Sequence, residues 1–158
     1  NGVLGSSAIG YTDWAGIYSA VPCYMLQCDF AFMISPDMFN EFAKPELKAT
    51  CADLPRAFYH LDGPGQLPHL DSLLEIEDLH GVQWVPGAGS APCEEWPEVY
   101  QKIHAAGKKI QVIGGGFDTL DAVIEQIGSL KGIQHIGVHG TVSDETHIRQ
   151  RLQSYGLF

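Results

Sequence analysis

From about residue 55 onward one pattern recurs along the chain: a short apolar run, a glycine-rich break, then an amphipathic stretch that ends before the next apolar run. Nothing else in the sequence constrains the fold as strongly. Strands joined by helix-length connections pair in parallel, because a parallel neighbour cannot be reached by a tight hairpin. The predicted strands are RAFYHLD (56–62), GVQWVP (81–86), KIQVI (109–113) and IQHIGVH (133–139), which recur about every 26 residues. The predicted helices between and after them cover 68–78, 95–106, 120–129 and 144–154.

Local chemistry supports these assignments. Pro68 suits a first helical turn, where its missing N–H would have no partner. Asp118 or Thr119, and Ser143, supply oxygen acceptors for exposed helix-start amides. Leu120, Val123, Ile124 and Ile127 form one apolar stripe at helical spacing, which should lie on the sheet. Upstream, a helix over 37–52 is expected, with Ser35 as N-cap and Pro36 in the first turn. Phe39, Phe42, Leu47 and Cys51 are its buried candidates, and Pro45 should kink it. Residues 1–34 show little periodicity and are expected to be a loop-rich N-terminal segment with at most one short helix.

With 158 residues, of which 45% are hydrophobic and 18% charged, the chain should build one folded domain. Nine Lys and Arg against 19 Asp and Glu give 9 − 19 = −10, which argues against nucleic acid and against an anionic membrane surface as partners. No apolar run approaches the roughly 20 residues of a spanning helix, and Asn1 opens no signal sequence, so a cytoplasmic protein is expected. Cys23, Cys28, Cys51 and Cys93 are too sparse and irregular for a disulfide framework and are expected as reduced thiols. The chain begins at Asn rather than Met, which suggests a piece of a longer protein.

Four βα units fit either a small open doubly wound sheet or about half of an eight-unit barrel, which ordinarily needs about 250 residues. The truncated start favours the second. The expected fold is therefore α/β of the (β/α)8 TIM-barrel type, with residues 35–158 as the C-terminal half.

Candidate chemistry gathers at the carboxyl ends of the strands. Residues two apart on a strand point the same way, so in FYHLDG the side chains of His60 and Asp62 share a face while Tyr59 and Leu61 take the other. On the last strand Ile136 and Val138 suit the helix layer, and His135, Gly137 and His139 the opposite side. His60, Asp62 and His139 together would make a divalent metal site with open positions, suited to zinc or iron. A hydrogen-bonded acid/base pair is the competing reading of His60 and Asp62. Glycines follow every predicted strand, among them Gly63, Gly65 and the triple Gly114, Gly115 and Gly116, which either cradle an anionic group on their amides or make tight turns. Gln83 and Trp84 alternate on their strand, and the sequence does not say which faces the site; Trp84 is a substrate-binding candidate, with core packing as the default. Tyr11, Asp13, Trp14 and Tyr18 are candidates to line a pocket. His69, His80, His104 and His147 are expected on the solvated surface.

The runs CDFAFMISPDMFNEFAKPELK, YHLDGPG, LPHLDSLLEIEDLHGVQWVPGAG and WPEVYQKIHAAGKKIQV resemble the C-terminal half of uroporphyrinogen decarboxylase-type proteins, a superfamily that also holds methylcobamide:coenzyme M methyltransferases. The resemblance spans roughly residues 25–155 and implies a (β/α)8 barrel. In the methyltransferase branch a zinc ion sits on a His-x-Cys of the fifth strand and a Cys near the end of the last. Here His60 matches the histidine, Asp62 replaces the first cysteine and His139 lies about where the second would be. The resemblance thus implies a metal-assisted, methyltransferase-like enzyme acting on a small-molecule substrate. Any corrinoid would arrive on a separate protein, since no Asp-x-His-x-x-Gly signature is present. The decarboxylase branch, a lyase that needs no cofactor, is the alternative. A second alternative is a non-catalytic module binding an anionic ligand, paired through its cut edges with a second copy as a homodimer or with its missing half.

Overall fold

The computed structural model of the protein describes residues 10–157. A two-stranded antiparallel ribbon, β1 (Tyr11–Thr12) and β2 (Tyr18–Ser19), precedes a five-stranded parallel sheet. The sheet holds β3 (Cys23–Leu26), β4 (Arg56–Asp62), β5 (Leu79–Val85), β6 (Lys109–Ile113) and β7 (Ile133–Ile136), in the spatial order β3-β4-β5-β6-β7. Spatial order follows chain order without reversal. Right-handed crossovers that always step in the same direction place their helices on one face of a sheet. A doubly wound sheet reverses at a switch point, and no such reversal occurs among the described strands.

The helical layer consists of α1 (Pro36–Met38), a π turn (Phe39–Ala43), α2 (Lys44–Asp53), α3 (Leu70–Leu74), α4 (Pro97–Ala105), α5 (Gly116–Ile127) and α6 (Glu145–Ser154). Between this layer and the sheet lies the main core. Ala57, Tyr59 and Leu61 of β4, Val82 and Trp84 of β5, and Ile110 and Val112 of β6 meet Cys51, Leu73, Tyr100, Ile103 and Val123 from the helices. At about 25 cal/mol per Å² of apolar surface, each such large side chain contributes roughly 1.5–3 kcal/mol on burial. A smaller cluster of Ile17, Cys23, Met25 and Phe58 lies apart from the main core, on the alternate face of β3 and β4.

All four expected strands and all five expected helical regions are present; β4 and β6 have the expected bounds, and the ends of the others are shifted. Strand β3 lies inside the segment expected to be loop. Its CYML sequence carries no β-branched residue, so propensity does not mark it, and its place comes from pairing with β4, Cys23 opposite Arg56 through Leu26 opposite Tyr59. Helix α5 starts at Gly116 with Gly115 as its N-cap, ahead of the expected Asp118 or Thr119. The kink expected at Pro45 takes the form of the π turn, with the Lys44 N–H bonded five residues back to the Phe39 carbonyl. Pro45 has no N–H to give, and its ring clashes with the carbonyl four residues earlier, so the preceding turn widens. The wider turn advances less per residue and swings Phe42 out of the buried stripe. Phe39, Leu47 and Cys51 are buried as expected, whereas Phe42 is 62% exposed.

The four cysteines are unpaired. Burial, together with the carboxylate of Asp78, pushes the Cys51 thiol up to about 11. Among the described residues no helix is long and apolar enough to cross a membrane.

Candidate functional site

Strand parity assigns the side chains of β4. Ala57, Tyr59 and Leu61 enter the helix-side core, so Phe58, His60 and Asp62 point to the opposite face. On that face His60 Nε2 stands 4.0 Å from Asp62 Oδ2, with the imidazole 15% and the carboxylate 50% exposed. Asp62 closes β4 at its carboxyl end, and the Gly63 N–H that follows donates to the Val85 carbonyl at 2.8 Å. The expectation that His60 and Asp62 share a face at this end agrees with the geometry.

The register carries the site sideways across the sheet. His60 lies opposite Gln83, Gln83 opposite Gln111, and Gln111 opposite Gln134. Four side chains on four strands therefore form one row, joined by hydrogen bonds. Gln83 Oε1 meets His60 Nδ1, Gln83 Nε2 donates to Gln111 Oε1, and Gln111 Nε2 lies 3.4 Å from Gln134 Oε1. Gln83 and Gln111 have essentially no exposed surface.

The loop between β1 and β2 covers the row. Asp13 Oδ1 accepts from the Ala15 and Ile17 amides at 3.0 and 3.1 Å, a short Asp-stabilised turn that aims the Ala15 and Gly16 carbonyls at the sheet. Ala15 O accepts from Gln111 Nε2 at 3.1 Å, and Gly16 O from Gln134 Nε2 at 3.2 Å. Gly16 has φ +72°, and a Cβ there would stand 3.0 Å from Ile136 Cδ1, so the close approach of loop to sheet requires glycine. Trp14 donates its indole N–H to the Met25 carbonyl at 3.0 Å and sets its ring edge-on to His60, centroids 5.3 Å apart. Of the four loop candidates, Asp13 and Trp14 thus reach the site.

Several expected residues lie elsewhere. Trp84 is wholly buried on the helix side, packed against Trp96 with centroids 5.1 Å apart, and has no surface for a substrate; its neighbour Gln83 faces the site instead. Strand β7 ends at Ile136 and has the opposite parity to that expected. Gln134 joins the row, Ile136 lies by Gly16, and His135, opposite Val112, donates from Nε2 to the Gly114 carbonyl at 2.9 Å. His139 falls beyond the strand and lines a separate cleft with Phe117, Asp144 and His147. His69 is buried rather than solvated: its ring stacks on Phe39 and its Nε2 meets the Ala31 carbonyl at 2.8 Å. His80 accepts from the Ala57 amide at Nδ1.

The glycine loops serve mainly as turns. Gly114, Gly115 and Gly116 lie consecutively at φ +78°, +68° and +69°, a run that only glycine adopts without strain. The Gly114 amide already donates to the Ile136 carbonyl. Gly65 lies under the Phe32 ring, where a Cβ would overlap it.

A zinc centre does not fit this arrangement. Among the described residues no three His, Cys, Asp or Glu side chains gather closely enough to hold a metal ion. Of the three expected ligands only His60 and Asp62 are neighbours, and an ion roughly 2.1 Å from both atoms of a pair 4.0 Å apart would subtend about 145°, far from tetrahedral.

The glutamines are the residues beside His60 that the strand reading did not assign. Their signal is present in VQW, IQV and IQH, where a Gln follows a β-branched aliphatic residue in three successive strands.

No protein-family model matches the chain, and no curated protein matches it. Among solved structures, macrophomate synthase is similar at 18% identity over 68% of this chain, with a TM-score of 0.38. The chain spans 42% of that protein's length.

Proposed function

We propose that the chain is an arc of a (β/α)8-type enzyme related to the uroporphyrinogen decarboxylase superfamily, and that it works by proton transfer at His60. The observation that carries this reading is the His60–Asp62 pair, 4.0 Å apart at the carboxyl end of a parallel strand, where enzymes built on this kind of sheet place their chemistry. Strand order that follows chain order is the arrangement of a barrel wall. The sequence runs that resemble the superfamily supply the rest of the support.

In this reading His60 Nε2 is the proton-carrying atom, and Asp62 supplies the negative charge that stabilises the imidazolium. Trp14 and the loop that carries it shield the imidazole from water on one side. The reaction class is lyase-type. A carboxylate leaves as CO2, its bonding electrons remain on carbon, and the carbanion takes the proton from His60 Nε2, which is reloaded from solvent. Methyl transfer assisted by a metal is the competing reading, resting on the match of His60 to the methyltransferase histidine.

One experiment separates the two. The protein is screened for CO2 release from small carboxylic acids before and after chelation, beside His60→Ala, and its metal content is measured. Turnover that survives chelation and falls by about 10²–10⁴ in His60→Ala is expected, the range for loss of a general acid. Near-stoichiometric metal that is lost in His60→Ala, with activity abolished by the chelator, overturns the proposal in favour of methyl transfer.

A further inference from the structure

We infer that the glutamine row is a tautomer lock: Gln83, Gln111 and Gln134 are positioning residues that hold neutral His60 with its proton on Nδ1, leaving Nε2 as the bare nitrogen beside Asp62. The inference deepens the reading of His60 as the proton carrier and rests on it for its functional meaning.

The argument starts at the loop. Backbone carbonyls only accept hydrogen bonds, so the Gly16 carbonyl obliges Gln134 to present its NH2 group at 3.2 Å, and the Ala15 carbonyl obliges Gln111 to do the same at 3.1 Å. The amide orientation of both side chains is thereby fixed by chemistry. With its nitrogen committed, Gln111 turns Oε1 toward Gln83, which must answer with its own NH2. Gln83 then has only Oε1 left for His60. An oxygen facing a ring nitrogen demands a donor, so His60 carries its proton on Nδ1.

Every donor in the row points the same way, from His60 toward the loop. Because Gln83 and Gln111 are shut away from solvent, no water stands ready to repair a reversed amide. Reversing one would set oxygen against oxygen on one side and N–H against N–H on the other. A glutamine, with one accepting oxygen and a donating nitrogen at the same tip, is the uncharged side chain that passes this polarity on across about 5 Å of strand spacing. Asp13 is the far anchor, since its carboxylate holds the turn that aims both carbonyls.

The test is direct observation of the tautomer. In the full chain labelled with 15N at histidine, long-range 1H–15N spectra distinguish Nδ1–H from Nε2–H in the neutral ring. His60 is assigned by its loss in His60→Ala. The expected result for the unaltered protein is a single Nδ1–H tautomer. In Gln111→Met, which keeps side-chain length and removes both hydrogen-bonding groups, Gln83 is free to turn. The tautomer ratio should then move roughly fivefold to tenfold toward Nε2–H, the effect of one ordinary hydrogen bond. Gln134→Met, at a less buried position, should move it in the same direction by less, and stands in if Gln111→Met does not fold. A dominant Nε2–H tautomer in the unaltered protein, or an unchanged ratio in the variants, overturns the lock. A locked tautomer in a protein whose turnover survives His60→Ala would instead leave the lock standing and remove the proton-carrier reading.

Discussion

His80 shows how much one imidazole's role depends on what surrounds it. Its Nδ1 accepts from the Ala57 amide, and its Nε2 lies 3.3 Å from the Arg56 guanidinium. Burial, with Arg56 next in weight, holds its pKa below the ordinary histidine value. A group whose folded pKa is depressed binds fewer protons folded than unfolded in the window below its unfolded value of about 6.5, so stability rises with pH through that window. The fold should therefore lose stability as pH falls from 7.5 to 5.5. His80→Gln, which keeps an acceptor and cannot titrate, should flatten that part of the profile. Urea unfolding at several pH values checks both. Sequence reasoning could not have seen this, because HGV on a strand gives no sign that the ring folds back onto a neighbouring strand's amide. His60 and Asp62, in contrast, were legible as a pair, since alternation along a strand is local. His139 was not, because its expected position required β7 to run to its seventh residue. Gly137 ends the strand beside Gly114, where a Cβ would fall 2.5 Å from the Gly114 carbonyl oxygen.

Among the elements, the junction of β6 and α5 shows which conformations the chain has bought with glycine. Gly114 and Gly115 both have positive φ, yet their surroundings differ. A Cβ on Gly114 would meet nothing within 4 Å, whereas one on Gly115 would overlap Thr119, 1.8 Å from Oγ1 and 2.6 Å from Cβ. Gly114→Ala should cost only the left-handed conformation, about 1–2 kcal/mol. Gly115→Ala should cost about 2 kcal/mol beyond that, because the helix must shift and break the 3.0 Å bond from Thr119 to Glu94. Denaturant unfolding of the two variants gives the difference. The existence of the helices was readable from the amphipathic stretches between the apolar runs, helped in places by an apolar stripe or a cap. The ends were not, since Gly115 begins α5 through backbone conformation and offers no side-chain oxygen. Nor was the π turn, whose widening depends on where the strain of Pro45 is absorbed.

For the whole molecule, the strand order decides what lies at the borders. β3 and β7 each pair on one side only among the described residues. An open five-stranded sheet leaves such borders by construction, and an unpaired strand edge invites another chain. The protein should therefore self-associate, and sedimentation at increasing concentration should show mass above the 17.2 kDa of one chain. A monomer at every concentration would mean that the borders are covered. That the sheet is parallel was legible from the βα punctuation. That its order runs without reversal was not, because helix length and strand length are the same whichever side the next strand joins.

The same order has a consequence in time. Each strand lies beside the one synthesised just before it, so a chain leaving the ribosome can complete its sheet by successive additions, each new strand finding its partner already in place. The row that begins at His60 finishes at Gln134. During synthesis, the histidine exists long before the last amide that orients it, and it acquires its final hydrogen-bonded form only when the youngest strand of the sheet has docked.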